Sequence, residues 1–301
     1  MTSTTSGQIL DLSSGWRTTC ASVSGQLQCF GWNQYGQMGI GPFDDQYSPM
    51  VVNGPLGTVT TIKSHPSAVH TCALTSEKEL WCWGSNTSSN IGLGNSMDSS
   101  FVPVNLSTST DFLPQNVKEV QQIALGRAHT CIIALLNDNN KRFWCWGANE
   151  YGMLGINSME PSEDPVDVVN LSASDVVTIE SGYLHTCAVV SDSSTNSLWC
   201  WGLNESGQLG IGTDDFDSHV PQQVQLEGGG NVVSVSSLYY HTCAVVDQDC
   251  YCWGNNMNGQ LGIGSTTNQN APKIVSTSGP VQSVVAGGTH TCAILQNGGL
   301  E

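Results

Sequence analysis

Apolar positions in this chain come in short β-branched runs, and none of them recurs at helical spacing. Examples are Val117-Lys118-Glu119-Val120-Gln121-Gln122-Ile123-Ala124 and Val281-Gln282-Ser283-Val284-Val285-Ala286. After such a run comes a His-Thr-Cys-Ala segment, then a polar tip such as Asp192-Ser193-Ser194-Thr195-Asn196, then Leu-Trp-Cys-Trp-Gly. A proline-led run closes the unit, as in Pro103-Val104-Asn105-Leu106, Pro221-Gln222-Gln223-Val224 and Pro272-Lys273-Ile274-Val275. Proline leading a strand reads as an edge position, where its missing N–H removes no ladder bond. The pattern predicts four short strands per unit.

The unit repeats. His70-Thr71-Cys72-Ala73 returns as His129-Thr130-Cys131, His185-Thr186-Cys187-Ala188, His241-Thr242-Cys243-Ala244 and His290-Thr291-Cys292-Ala293, with a degenerate first copy Thr18-Thr19-Cys20-Ala21. Counted from cysteine to cysteine, the steps are 52, 59, 56, 56 and 49 residues. The first five copies continue to Cys29-Phe30-Gly31-Trp32-Asn33, Cys82-Trp83-Gly84-Ser85-Asn86, Cys145-Trp146-Gly147-Ala148-Asn149, Cys200-Trp201-Gly202-Leu203-Asn204 and Cys252-Trp253-Gly254-Asn255-Asn256. Glycine-rich tails follow, among them Gly207-Gln208-Leu209-Gly210 and Gly259-Gln260-Leu261-Gly262. This periodicity predicts an all-β propeller of four-stranded blades in one domain over 9–301, behind a flexible segment 1–8. The repeats are placed at 9–58, 59–116, 117–175, 176–231 and 232–280, with a partial sixth at 281–301.

The combination His-Thr-Cys-Ala, Trp-Gly-x-Asn-x-x-Gly-Gln-Leu-Gly-x-Gly and a proline-led strand resembles the repeat of the regulator of chromosome condensation (RCC1) family, over essentially the whole chain. The resemblance implies an RCC1-like β-propeller, usually of seven blades, whose loops present a binding face. It also implies two uses. Some members are secreted binding modules, and the founding member performs guanine-nucleotide exchange on a small GTPase. Its exchange residues lie outside the repeat consensus, so no position here inherits them.

Charge narrows the partners. Eight basic and 25 acidic residues give −17, which lacks the cationic surface that phosphate neutralisation needs; nucleic acid is excluded as a partner. No apolar run approaches the roughly 18–20 residues that insert into a membrane. Cysteine adds a compartment. Within each unit two cysteines stand 9 to 14 residues apart on consecutive strands: Cys20 with Cys29, Cys72 with Cys82, Cys131 with Cys145, Cys187 with Cys200, and Cys243 with Cys252. Facing positions on an antiparallel hairpin bring Cα atoms to about 4.5–5.5 Å, within disulfide reach. Five staples place the protein outside the cell, in a periplasm or in the secretory lumen. Met1-Thr2-Ser3-Thr4-Thr5-Ser6 is not a signal peptide, so export rests on a leader outside this chain. Two alternatives stay open, reduced structural thiols and zinc held by sets such as His70, Cys72 and Cys82; the latter lacks a fourth ligand. Cys250 is read as facing away from Cys252, without a lattice partner. Sequons occur at Asn86, Asn105, Asn170 and Asn204.

The sixth copy stops at Glu301, where alignment with Leu80 and Trp81 puts the next residue at a cysteine. The expectation is a piece of a six- or seven-bladed ring. The alternative is a sixth blade completed by another segment, such as Thr2 to Leu12.

Chemistry is sparse. A histidine repeated in every blade serves the blade, so His70, His129, His185, His241 and His290 are expected to tie strands or blades by hydrogen bonds. Trp83, Trp146, Trp201 and Trp253, with Phe30 in the first copy, are expected to fill the space between blades. The glycine-rich tails read as turns of positive φ rather than phosphate loops. No catalytic residue, cofactor site or metal site is assigned, and the acidic loops lack the ordered ligand spacing of calcium sites. Function then falls to what differs between repeats: the loops carrying Asp44, Asp45 and Tyr47, then Asp98 and Phe101, then Glu160, Glu163 and Asp164, then Asp214, Asp215, Phe216 and Asp217. These mix carboxylates with aromatics and suit recognition of another protein. The reading is a non-enzymatic protein-binding propeller. The alternatives are an exchange factor for a small GTPase and an adhesive repeat region of a surface protein.

Overall fold

Short alternating strands with one buried face must pair with their sequence neighbours and then bury that face against another sheet. The computed structural model, which describes residues 7–42, 44–54, 56–94, 97–108, 112–192 and 194–301, shows this arrangement blade by blade. Blade one contains β1 (Ile9–Gly15), β2 (Thr18–Val23), β3 (Gln26–Gly31) and β4 (Gln46–Val51). Blade two contains β5 (Val59–Ser64), β6 (His70–Thr75), β7 (Leu80–Ser85) and β8 (Ser99–Asn105). Blade three contains β9 (Val117–Leu125), β10 (His129–Leu136), β11 (Lys141–Gly147) and β12 (Ser162–Asp167). Blade four contains β13 (Val176–Ser181), β14 (His185–Ser191), β15 (Asn196–Gly202) and β16 (Ser218–Gln223). Blade five contains β17 (Val232–Leu238), β18 (His241–Val246), β19 (Asp249–Gly254) and β20 (Gln269–Val275). Strands β21 (Val281–Ala286) and β22 (Thr291–Leu295) begin a sixth. Five sheets are four-stranded, the sixth is two-stranded, and all pair antiparallel in chain order. The fold is a β-propeller of five full blades and a partial one, as the repeat predicted.

The first strands contact one another and line the axis. Their Val-x-x-Val or Val-x-x-Ile spacing does not match a flat strand, which would turn the second residue to the opposite face. A bulge after the first residue restores it: Val59 pairs with Thr75 and Thr61 with Leu74, so Val59 and Ile62 are both buried. The same shift recurs in β13, β17 and β21. The core is therefore not one mass. It is a series of slabs between neighbouring blades, such as Leu74, Leu80, Ile91 and Leu106 against Val120, Ile132 and Trp146.

Three expectations need correction. The prolines do not lead the fourth strands; Pro103, Pro221 and Pro272 lie inside β8, β16 and β20. Each sits where the ladder breaks, as between the Cys82–Val104 and Gly84–Ser100 pairs, so a bulge accommodates the missing N–H. Cys250 shares a face with Cys252, because residues two apart on a strand point the same way; their Sγ atoms are 3.9 Å apart. Phe30 is not an inter-blade filler. It is 37 % exposed, whereas Trp83, Trp146, Trp201 and Trp253 are fully buried.

Residues 9–12 belong to β1 of blade one and so do not complete the sixth blade; residues 1–6 lie outside the described residues. At the other end Glu301 and Ala293 exchange both backbone hydrogen bonds. Trp81 pairs with Ala73 in the same register.

Candidate protein-binding face

The repeated polar residues are consumed between blades. The imidazole Nε2 of His70, His129, His185 and His241 lies 3.2, 3.0, 3.0 and 3.1 Å from the hydroxyl of Thr130, Thr186, Thr242 and Thr291 in the following blade. Each threonine hydroxyl donates to a carbonyl in the glycine-rich turn of the blade before it: Thr130 to Asn90, Thr186 to Met153, Thr242 to Gln208 and Thr291 to Gln260. Its one proton is thus spent, so the oxygen accepts from the histidine, which is the Nε2–H tautomer. The indole N–H of Trp83, Trp146, Trp201 and Trp253 donates to the carbonyls of Gln37, Asn90, Met153 and Gln208. Two further conditions let the parts meet. Gly155 and Gly210 take positive φ where a Cβ would run into Trp201 and Trp253. Burial holds His70, His129 and His185 at a pKa of about 3 and His241 at about 4, so all four are neutral.

The cysteine pairs Cys20–Cys29, Cys72–Cys82, Cys131–Cys145, Cys187–Cys200 and Cys243–Cys252 are disulfides, each with Cα atoms 4.1 Å apart. His70, two residues before Cys72 of the Cys72–Cys82 pair, meets the Thr130 hydroxyl of the following blade. Cys250 and Cys292 are free; burial pushes the Cys250 thiol up to about 11.

The asparagine of each Trp-Gly-x-Asn block clamps the loop between the third and fourth strands. Asn86 Nδ2 donates to the carbonyls of Gly94 and Met97, Asn149 to Ser158 and Glu160, and Asn204 to Thr213. The sequons at Asn86 and Asn204 thus coincide with buried clamps, while Asn170 lies outside the buried core.

The loops held this way, together with the first half of the fourth strands that follow them, carry the residues singled out for partner binding; Tyr47 and Phe101 lie in β4 and β8. Asp44, Asp45, Tyr47 and Phe101, from blades one and two, line one depression of about 450 Å³ with Asn33 and Gln34. Tyr47 and Phe216 are 97 % and 77 % exposed. Asp45 and Asp217 also accept hydrogen bonds from the backbone N–H of Asn33 and Asn204, so each carboxylate shapes its own loop. Asp214 and Asp215 line the blade-four loop, and the Thr213 hydroxyl donates to the Asp215 carboxylate. Glu160 is exposed on the blade-three loop, whereas Glu163 and Asp164, expected on that loop, are exposed on strand β12, and the Asp98 carbonyl accepts from the backbone N–H of Asn86.

A second group, missed in the sequence, lies nearer the axis at the same strand ends, in the loops joining first to second strands. The Arg127 N–H bonds the Tyr183 carbonyl and the Tyr183 N–H bonds the Tyr239 carbonyl, forming a collar across blades three, four and five. Tyr183 and Tyr239 stack with centroids 5.8 Å apart, and Arg127 lies over Tyr183 at 5.3 Å. In blade one Trp16 meets Trp32 edge-on at 4.6 Å, with Arg17 over it at 5.1 Å. Trp16, Tyr35, Arg127, Glu150, Tyr183 and Tyr239 line a mouth of about 500 Å³.

A family model described as the RCC1-like domain matches residues 2–293. The chain belongs to the RCC1-like family. It is 33 % identical to the ultraviolet-B receptor UVR8 of Arabidopsis thaliana over 255 residues, covering 84 % of this chain and 54 % of UVR8. It is 26 % identical to the human E3 ubiquitin-protein ligase HERC2 over 286 residues, covering 91 % of this chain and 6 % of HERC2. The chain therefore spans only part of these relatives. Among solved structures, yeast RCC1 (Prp20) bound to Kap60 superimposes with a TM-score of 0.80 at 21 % identity, covering 97 % of this chain and 69 % of that one. At that identity the likeness shows the fold alone.

One further feature of this RCC1-like propeller crosses the axis. Lys63 of blade two reaches Glu180 of blade four at 3.0 Å, and the Glu180 carboxylate raises the Lys63 pKa. Sequence offered no signal for it, because 117 residues separate the partners. The mouth did leave a signal. Between each repeat's first strand and its histidine, the intervening residues vary as Trp16-Arg17, Arg127-Ala128, Tyr183-Leu184 and Tyr239-Tyr240.

Proposed function

We propose that this chain is a protein-recognition propeller that works in an oxidising compartment, extracellular, periplasmic or lumenal, and binds a partner protein through the loops at one end of its blades. One observation supports this above others: the residues common to the repeats are spent on each other between blades, so recognition falls to residues that differ between repeats. The loops around Asp44, Asp45, Tyr47, Asp98, Phe101, Glu160, Glu163, Asp164 and Asp214 to Asp217 form the outer part of that face. The five disulfides support the compartment, since reducing cytosol does not maintain them. The competing reading is nucleotide exchange on a small GTPase, the activity that the resemblance to the family's founding member implies.

Photo-crosslinkers placed at Tyr47 and Phe216 are expected to capture a partner in the native source. One at Asp138, on the opposite strand ends, is not; equal capture there removes the face assignment. Alkylation of the unreduced, denatured protein is expected to label two of its twelve cysteines, Cys250 and Cys292. Labelling of all twelve removes the compartment, and accelerated nucleotide release from a GTPase establishes the competing reading.

A further inference from the structure

The chain has three arginines, Arg17, Arg127 and Arg142. Arg142 pairs with Asp167 at 3.6 Å. Arg127 lines the axial mouth and Arg17 follows the mouth residue Trp16 in the chain; each guanidinium carbon lies over an aromatic ring, and neither arginine enters an ion pair among the described residues. This placement runs against composition, since the chain carries 25 carboxylate side chains that could have neutralised them. A guanidinium held over a ring by cation–π attraction still has N–H groups to offer a ligand, and the ring restricts where they stand. Arg127 is fixed further, because its backbone belongs to the collar that Tyr183 and Tyr239 complete. The guanidinium fork takes a carboxylate or a phosphate in a two-pronged fashion, and the net charge of −17 disfavours the more highly charged phosphate.

We propose that the axial mouth binds an extended protein segment through an Asp or Glu side chain, taken by the guanidinium of Arg127, with Arg17 as a second contact at the rim. This rests on the protein-binding reading above and names the chemistry of the partner. The rest of the mouth agrees with a segment of low charge density. Trp16, Tyr35, Tyr183 and Tyr239 offer apolar walls, and Ser67, Ser85 and Thr87 offer hydroxyls along an extended backbone. The net charge of −17 repels polyanions as a class, and Glu150 in the same wall disfavours a second acidic group close by. Selectivity for a lone carboxylate among apolar neighbours follows from the local donors and the global repulsion together.

Random-peptide display on the intact protein is the direct test. Enrichment of peptides with a single Asp or Glu flanked by apolar residues is expected. A synthetic enriched peptide is expected to lose roughly tenfold or more in affinity on Arg127→Gln and nearly as much on Arg127→Lys, which keeps the charge but not the fork. Glu150→Gln is expected to strengthen it roughly two- to fivefold. A Gln-for-Glu version of the peptide is expected not to bind. Enrichment of basic or uncharged peptides, or equal binding by Arg127→Gln, overturns the proposal. So does sedimentation showing a dimer that Arg127→Gln dissociates and the peptide displaces, since the mouth then holds a second copy. Enriched peptides sensitive to Tyr47→Ala but not to Arg127→Gln overturn the mouth and leave the protein-binding reading standing. No enrichment at all removes both.

Discussion

Two sets of side chains sit within three residues of each other in the same loops and have opposite fates. His129 and His185 turn inward, lose all exposure and lock blade to blade through Thr186 and Thr242. Arg127 and Tyr183, two residues before each of them, turn outward and build the mouth. The difference teaches that repetition marks the joints and variation marks the face. A joint must be the same in every blade because each blade meets a copy of its neighbour. The mouth is met by something else, so its loops are free to differ.

The comparison breaks most visibly under reduction. Each disulfide closes a loop of 9 to 14 residues, worth about 2–3 kcal/mol. Summed over five, the loss is on the order of 10 kcal/mol, comparable to a whole domain's stability of about 5–15 kcal/mol. The reduced protein is expected to lose its cooperative unfolding transition at ambient temperature. A reduced form that melts within a few degrees of the oxidised one contradicts this.

Acid attacks the joints next. The unfolded imidazoles bind protons near pH 6.5, whereas the folded His70, His129 and His185 resist until about 3 and His241 until about 4. Between those values the unfolded chain holds more protons. Stability is therefore complete above about pH 6.5 and falls as pH drops, by up to about 1.4 kcal/mol per pH unit for each histidine. Melting temperature is expected to decline steeply from about pH 6.5 to about 4.5. A flat profile there contradicts neutral buried histidines.

Single substitutions sharpen the contrast. Trp201→Ala is expected to cost about 3–5 kcal/mol in denaturant unfolding, because it empties the slot against Gly155 and removes one of the two donors to the Met153 carbonyl. Thr186→Val keeps the volume but strands the His129 N–H and is expected to cost about 1–3 kcal/mol. The smallest effect is expected on the face: Tyr47→Ala changes stability by no more than about 0.5 kcal/mol. If Tyr47→Ala destabilises as much as Thr186→Val, the division between joint and face fails.

Much of this architecture was legible as text. Four strands per unit, the glycine turns and the cysteine pairs depend on residues close in sequence, and the structure places them as the repeat predicted. The joints were legible in kind, since a histidine, threonine and tryptophan shared by copies two to five call for a common role. Their partners were not, because His129 reaches Thr186 across 57 residues. Errors arose where a local rule met its neighbour. Phe30 occupies a tryptophan position yet stays 37 % exposed, and the prolines sit within bulges that only strand pairing reveals.

By itself the sequence determined the repeat, the strand hairpins and which cysteines face each other, since these follow from short-range alternation and turn chemistry. Tertiary structure alone decided that Val59 and Ile62 share a face, that Lys63 meets Glu180 across the axis, and that Arg127 joins Tyr183 and Tyr239 in one collar. Each of these needs either a bulge that exists only once strands are paired or contacts between blades. A blade's own sequence encodes its sheet, but the register of one blade against the next is set by packing.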